Sequence, residues 1–153
     1  MTAPYLVFDR GKIEALRDSY LESIAHTLQL LPPLNWNSQK QVISYFRETF
    51  HLTLESCKIS TLAAARAQRE EEPELFDVLT GAIQYYKLRA VLSNYIGNVL
   101  KHLDGDRYHL REVDGIWMMQ NKRDLPRENS EIWACVKSCS ADLLPLIEAL
   151  NAP

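Results

Sequence analysis

The chain has 153 residues, 46% hydrophobic and 24% charged, with a net charge of −3. This length builds one domain with a real core, and the acidic balance excludes a strongly basic, general nucleic-acid binder while leaving room for a local basic strip. No apolar run approaches the roughly 18 residues of a membrane span, the start lacks a signal-peptide layout, and three cysteines make no disulfide framework, so a cytoplasmic, reducing location is expected.

In chain order, residues 1–8 form a short lead-in that is ordered only if it docks. Asp9 caps a helix running to about Leu31, with Ile13, Leu16, Tyr20, Ile24, Leu28 and Leu31 on one face. Pro32-Pro33 ends it. Leu34-Asn35-Trp36-Asn37 is an extended connection into Ser38, and Gln41 three residues on completes a Ser-x-x-Gln capping box. The helix so opened runs to about Phe50 with Val42, Tyr45, Phe46 and Thr49 inward. Residues 51–59 read as a loop or brief extended piece. Ser60 or Thr61 then starts a short alanine-rich helix ending near Glu71, and the Glu70-Glu71-Glu72 run is solvated because adjacent carboxylates repel.

The organising element is Pro73 to Leu103, which has no internal proline. Leu75, Leu79, Ile83, Tyr86 and Ala90 recur at helical steps, then Leu88, Leu92, Tyr95, Val99 and Leu103 take over, so the apolar stripe drifts round the helix. A continuous helix here spans roughly 45 Å. Asp77, Thr80, Gln84, Lys87, Asn94, Asn98 and Lys101 make a second, polar stripe broken by Val91. It is either a solvated face or a surface for a polyanion.

After Leu103 the texture changes. Asp104-Gly105-Asp106 is a turn, Arg107 to Val113 a strand, Asp114-Gly115 a hairpin signal and Ile116 to Met119 the return strand. A charged loop spans residues 121–129, and Ile132 to Val136 is a further strand. Ser140 caps a terminal helix carrying Leu143, Leu144, Ile147 and Leu150, unless it begins at Pro145. The expected fold is mainly α with a small β appendage, in which a long central helix is packed by shorter helices and followed by a C-terminal β-hairpin. A single domain is expected, with a helical body over residues 8–103 and the hairpin, loop and terminal helix over 104–153.

The order of these signals resembles the thumb of family A DNA polymerases with the start of the palm. Leu34-Asn35-Trp36-Asn37-Ser38-Gln39-Lys40-Gln41-Val42 resembles the motif N-x-N-S-P-K-Q-L, with Gln39 in place of proline. Phe8-Asp9 and the helix after it look like the segment leading into that thumb. Tyr85-Tyr86-Lys87-Leu88 and Leu92-Ser93-Asn94-Tyr95 resemble Y-R-x-x-x-K-L-x-S-T-Y, with Asn94 in place of threonine. Asp104 to His109 is similar to a D-G-R-I-H strand, and Asp114-Gly115 through Gln120-Asn121 to Leu125-Pro126-Arg127 sits where the family has T-G-R-L-S-S-x-x-P-N-L-Q-N-I-P-R. The resemblance covers roughly residues 8–131.

A polymerase of that family also needs two palm carboxylates holding two metal ions about 4 Å apart, and a fingers helix that grips the nucleotide. This sequence is expected to lack both the fingers and the second carboxylate. Asp142 and Glu148 are spaced one residue too far apart for the first palm motif, and Pro145 intrudes. Ile116 stands where the family has arginine, and Met118 and Met119 where it has serines that touch the template-primer, so that contact is lost or exchanged for a protein contact.

Other chemistries find no support. The four histidines are scattered, Cys135-x-x-x-Cys139 has no second pair for a zinc site, and neither a nucleophile elbow nor a glycine-rich phosphate loop occurs. No enzyme activity, cofactor, metal or small-molecule substrate is expected. Two function classes remain. As a noncatalytic, thumb-like module on DNA duplex or primer-template, or in support of a replication- or repair-type complex, the chain would use Asn37, Ser38 and Lys40 at the capped helix start with Gln84, Lys87, Ser93 and Asn94 on the long helix. Ser38 and Gln41 would otherwise merely cap a helix, and Lys87 would point at water. As a protein-interaction module, a subunit, inhibitor or assembly component paired with a polymerase-type protein, it would expose Trp117, Met118 and Met119 beside Trp133. The alternative is that this short apolar strand faces a core.

Overall fold

The computed structural model describes residues 3–126 and 129–145. The fold is mainly α with a few short antiparallel strands. In chain order it comprises β1 (Tyr5–Phe8), α1 (Arg10–Leu30), α2 (Gln39–Phe50), α3 (Ile59–Gln68), α4 (Pro73–Val91), a π-helical turn (Leu92–Ile96), α5 (Gly97–His102), β2 (Arg107–His109), β3 (Arg111–Val113), β4 (Ile116–Met118), α6 (Ser130–Trp133), β5 (Val136–Cys139) and a 3₁₀ turn (Ala141–Leu143). No helix among the described residues is long and apolar enough to cross a membrane. The chain packs as two compact units, residues 22–89 and residues 1–21 with 90–153.

In the unit of residues 22–89, the core gathers Leu31 and Trp36 with Val42 and Phe46 of α2, Leu62 and Ala65 of α3, and Leu75, Leu79, Ala82, Ile83 and Tyr85 of α4. Trp36 meets Tyr45 and Phe46 edge-on at ring separations of 6.2 and 6.1 Å. Ser38 caps α2 as expected, its hydroxyl accepting the Gln41 N–H at 3.3 Å. The reciprocal half of the capping box is absent, because the Gln41 side-chain oxygen accepts from the Asn35 N–H instead, at 3.2 Å. Thr49, expected inward, is exposed, and Leu52 beyond the helix is buried instead. His51 closes α2 in the left-handed conformation, φ 53°, and the chain folds back there. On α1, Leu28 is also more exposed than its stripe implied, and Thr27 is buried in its place.

Glu72 departs from the solvated acidic run. The Arg69 guanidinium donates to both its carboxylate oxygens and also to the Phe50 carbonyl at 2.8 Å, tying the segment after α3 to the end of α2. Hydrogen bonding from Arg69 holds the Glu72 carboxyl below its ordinary value. Glu70 and Glu71 are exposed.

In the other unit, the N-terminal lead-in is a strand. β1 is the centre of a three-stranded antiparallel sheet in the order β2-β1-β5, and its alternation puts Leu6 and Phe8 inside. Asp9 then caps α1, accepting from the Lys12 N–H at 3.2 Å. The expected strand from Arg107 to Val113 breaks at buried Leu110, whose N–H donates to the Pro4 carbonyl at 2.9 Å. β3 and β4 form the expected hairpin about Asp114 (φ 50°) and Gly115 (φ 82°), the paired positive φ values of a tight two-residue turn. The strand expected over residues 132–136 is displaced. Asn129 accepts from the Ile132 N–H and starts the single helical turn α6, and β5 follows at Val136. Ser140 caps no helix, because its hydroxyl accepts the Tyr5 N–H at 3.1 Å and holds the sheet. Ile147 and Leu150 lie outside the described residues.

The long helix is continuous over residues 73–102, interrupted only by the π turn. There the Gly97 N–H reaches back to the Leu92 carbonyl. The wider turn changes the phase of the stripe, so Ile96 at its end and Val99 beyond it are buried while Tyr95 is only half-buried. Asn98, assigned to the polar stripe, is buried and accepts a hydrogen bond from the Tyr108 hydroxyl.

Candidate functional site

The residue turn at 36–38 is held by α4. The Tyr86 hydroxyl donates to the Trp36 carbonyl at 2.6 Å, and the Tyr85 hydroxyl donates to the Asn37 side-chain oxygen at 2.7 Å. The same Asn37 oxygen accepts from the Arg89 guanidinium, which also lies over the Tyr85 ring, 5.7 Å from its centroid. Burial first, then the neighbouring Cys57 thiol, pushes the Tyr86 phenol well above its ordinary range, so it remains a neutral donor. Residues about fifty apart in sequence therefore fix the entry to α2.

This entry presents polar groups outward. Asn37 and Lys40 are exposed and Ser38 is half-buried at the cap. The backbone N–H groups of Gln39 and Lys40, in the first turn, have no partner among the described residues. With the positive end of the helix dipole, Lys40 and Arg89 make the local field favourable to an anion. An open groove of about 620 Å³ runs along this face of α2, lined by Pro32, Pro33, Ser38, Lys40, Tyr45 and Glu48 among others. Glu48 stands roughly 12 Å along the helix from Lys40, so the cationic character belongs to the N-terminal end alone.

The other nucleic-acid candidates fall elsewhere. Gln84 and Lys87 are exposed on α4 and share a side of it, turned by about 100° or more from Tyr85 and Arg89. Ser93 is exposed in the π turn, and Asn94 is half-buried with its carbonyl accepting from the Asn121 side chain at 2.9 Å. Both belong to the other compact unit. Arg89 and Tyr85 were missed as site residues, although their i,i+4 spacing on a firm helix was a usable signal for a cation–π pair.

The expected adhesive surface is also altered. Met119 is 2% exposed and belongs to the core, its N–H donating to the Arg123 carbonyl at 2.9 Å. Trp133 is half-buried, with its indole N–H donating to the Pro126 carbonyl at 2.8 Å. Trp117 and Met118 are half-buried, while Ile116, not chosen from the sequence, is 56% exposed. The reason is strand periodicity: neighbouring positions on and after β4 point to opposite sides and cannot all face solvent.

Among the described residues, no three histidine, cysteine, aspartate or glutamate side chains are grouped to hold a metal ion. No family model matches the chain, and neither a curated protein nor a solved structure matches it.

Proposed function

We propose that this protein is a noncatalytic module that binds the backbone of a nucleic-acid duplex or primer-template, as its sequence resemblance to a family A polymerase thumb implies. The observation that carries the reading is the junction of Asn37 with Tyr85 and Arg89. It brings together the two stretches that most resemble thumb motifs and sets Arg89 and Lys40 beside the open end of α2. Free N–H groups, a lysine and an arginine at one helix start supply sequence-blind phosphate contacts. The overall charge of −3 limits the footprint to a few phosphates.

Fluorescence anisotropy with a labelled duplex tests the reading. Binding is expected at roughly 50 mM salt or below, weakening with added salt at a log–log slope of about −0.9 per phosphate contacted. Lys40→Ala and Arg89→Ala together should weaken it and flatten the slope by up to about two phosphates. A chain that fails to bind duplex under those conditions refutes the proposal.

A second reading, a protein-interaction module, is favoured by one feature: Ile116 lies largely exposed on the hairpin beside Met118. Sedimentation over a concentration series checks its self-associating form. Ile116→Asp should abolish an oligomer held by the hairpin, and a monomer at every concentration removes that form.

A further inference from the structure

The outer face of the three-stranded sheet carries a chemistry distinct from the α2 entry. β2 pairs with β1 so that Tyr5 stands opposite His109 and Val7 opposite Arg107, while Leu6 pairs with Tyr108. Leu6 and Tyr108 are buried, so the alternate set, Tyr5, Val7, Arg107 and His109, shares the outer side. Ser138 of β5 joins that side opposite Val7. The Tyr5 and His109 rings sit 5.7 Å apart, and the Arg107 guanidinium lies 4.3 Å from the Tyr5 ring centroid. Arg107 is exposed, and Tyr5 and His109 are half-exposed.

Three observations point to a ligand. The His109 ring nitrogens and the Arg107 guanidinium make no hydrogen bond among the described residues, although each could. The face carries positive charge and no carboxylate at Tyr5, Val7, Arg107, His109 or Ser138. Asp9, next along β1 on this register, turns one carboxylate oxygen to the Lys12 N–H at the start of α1. Finally, Val7 is the only aliphatic side chain of the set, too little apolar area for a protein interface, whereas flat rings and a stacked guanidinium match a nucleobase.

We propose that this sheet face binds single-stranded nucleic acid, stacking a base on the Tyr5–Arg107–His109 platform and taking a neighbouring phosphate on Arg107. Aromatic side chains on an open sheet with a cation beside them give sequence-tolerant affinity for an unpaired strand, because every base offers a π-face. A duplex hides those faces. This site is independent of the α2 entry, and it lies in the other compact unit.

The test uses the full chain, with anisotropy on a labelled DNA strand of roughly 12 nucleotides at low salt and, in parallel, fluorescence quenching of 2-aminopurine placed within it. His109→Ala and Tyr5→Leu should each weaken binding roughly five- to hundredfold, and Tyr5→Phe should bind like the parent. Arg107→Lys keeps the charge but loses the plane, so it should reduce quenching more than affinity. Because Tyr5 lies on the central strand, His109→Ala on the edge strand carries the decision if Tyr5→Leu fails to fold. The proposal is overturned if the chain ignores the single strand, if His109→Ala and Arg107→Lys bind and quench like the parent, or if an abasic strand binds as tightly as one with bases.

Discussion

The Tyr108 hydroxyl bridges two segments by hydrogen-bonding in both directions: it donates to the buried Asn98 side-chain oxygen on α5 and accepts from the Gln120 N–H, at 2.7 Å, just after the hairpin. Gln120 in turn donates its side-chain amide to the His109 carbonyl at 2.7 Å. Buried polar groups are tolerable only when each finds a partner, and every buried side-chain nitrogen and oxygen among the described residues does.

Tyr108→Phe keeps the ring, including its 6.2 Å edge contact with Phe8, and deletes only the bridging oxygen. The Asn98 carbonyl then loses its donor and the Gln120 N–H its acceptor. An expected loss of about 1–3 kcal/mol follows, read as a lower denaturation midpoint at unchanged slope. Asn98→Ala should cost less than Tyr108→Phe in hydrogen bonding, since Tyr108 would still accept from Gln120. A Tyr108→Phe variant as stable as the parent would mean the bridge contributes nothing.

The same residue sets an alkaline limit. Burial pushes the Tyr108 phenol up to about 12, and the Gln120 N–H only partly offsets this. An unfolded chain's tyrosine ionises near about 10. The folded state holds the proton more tightly, so this contribution is complete below about 10 and is lost as pH climbs from there through about 12. Unfolding midpoints should fall across that window in the parent and fall less steeply in Tyr108→Phe. Phenolate absorbance should show one more late-ionising tyrosine in the parent than in Tyr108→Phe.

What the sequence disclosed was what local pattern determines. Asp9 and Ser38 were legible as caps, Asp114-Gly115 as a hairpin turn, and residues 73–102 as one helix, because each depends on neighbours within a few positions. The sheet was not legible. β1 joins partners about one hundred and one hundred and thirty residues away, and four residues beside a terminus carry no period that separates a strand from a lead-in. The π turn was equally hidden. It arises from how Leu92 and Gly97 meet, and it moved Asn98 from the polar stripe into the interior. At the candidate site, the α2 entry was found through its cap, but Arg89 was missed because its partner, Asn37, lies 52 residues away.

Ser38→Ala tests the cap without touching the core. It removes the acceptor for the Gln41 N–H and should cost about 1 kcal/mol. Gln41→Ala should cost less, because the Gln41 side chain serves Asn35 in the preceding loop and not the cap itself. Thermal melts of both variants decide this, and equal losses would mean that the Ser-x-x-Gln pair acts as a reciprocal box after all.

Gly97 supplies the sharpest check on the π turn. In an ordinary helix interior, replacing glycine by alanine gains about 1 kcal/mol. A Cβ at Gly97 would stand 3.0 Å from the Leu92 carbonyl oxygen, a backbone atom that cannot swing aside. Relief requires the turn to tighten toward α geometry, and that rotates Ile96 and Val99 away from the positions in which both are buried. The two effects oppose each other, and packing is the larger, since partial loss of two buried aliphatic side chains outweighs one unit of helix propensity. Gly97→Ala should therefore be neutral or destabilising, while Gly11→Ala on α1, where the nearest atom is the Asp9 side chain at 3.4 Å, should stabilise. A Gly97→Ala variant that melts higher by the full propensity gain would show that the π turn is not required by the packing on either side of it.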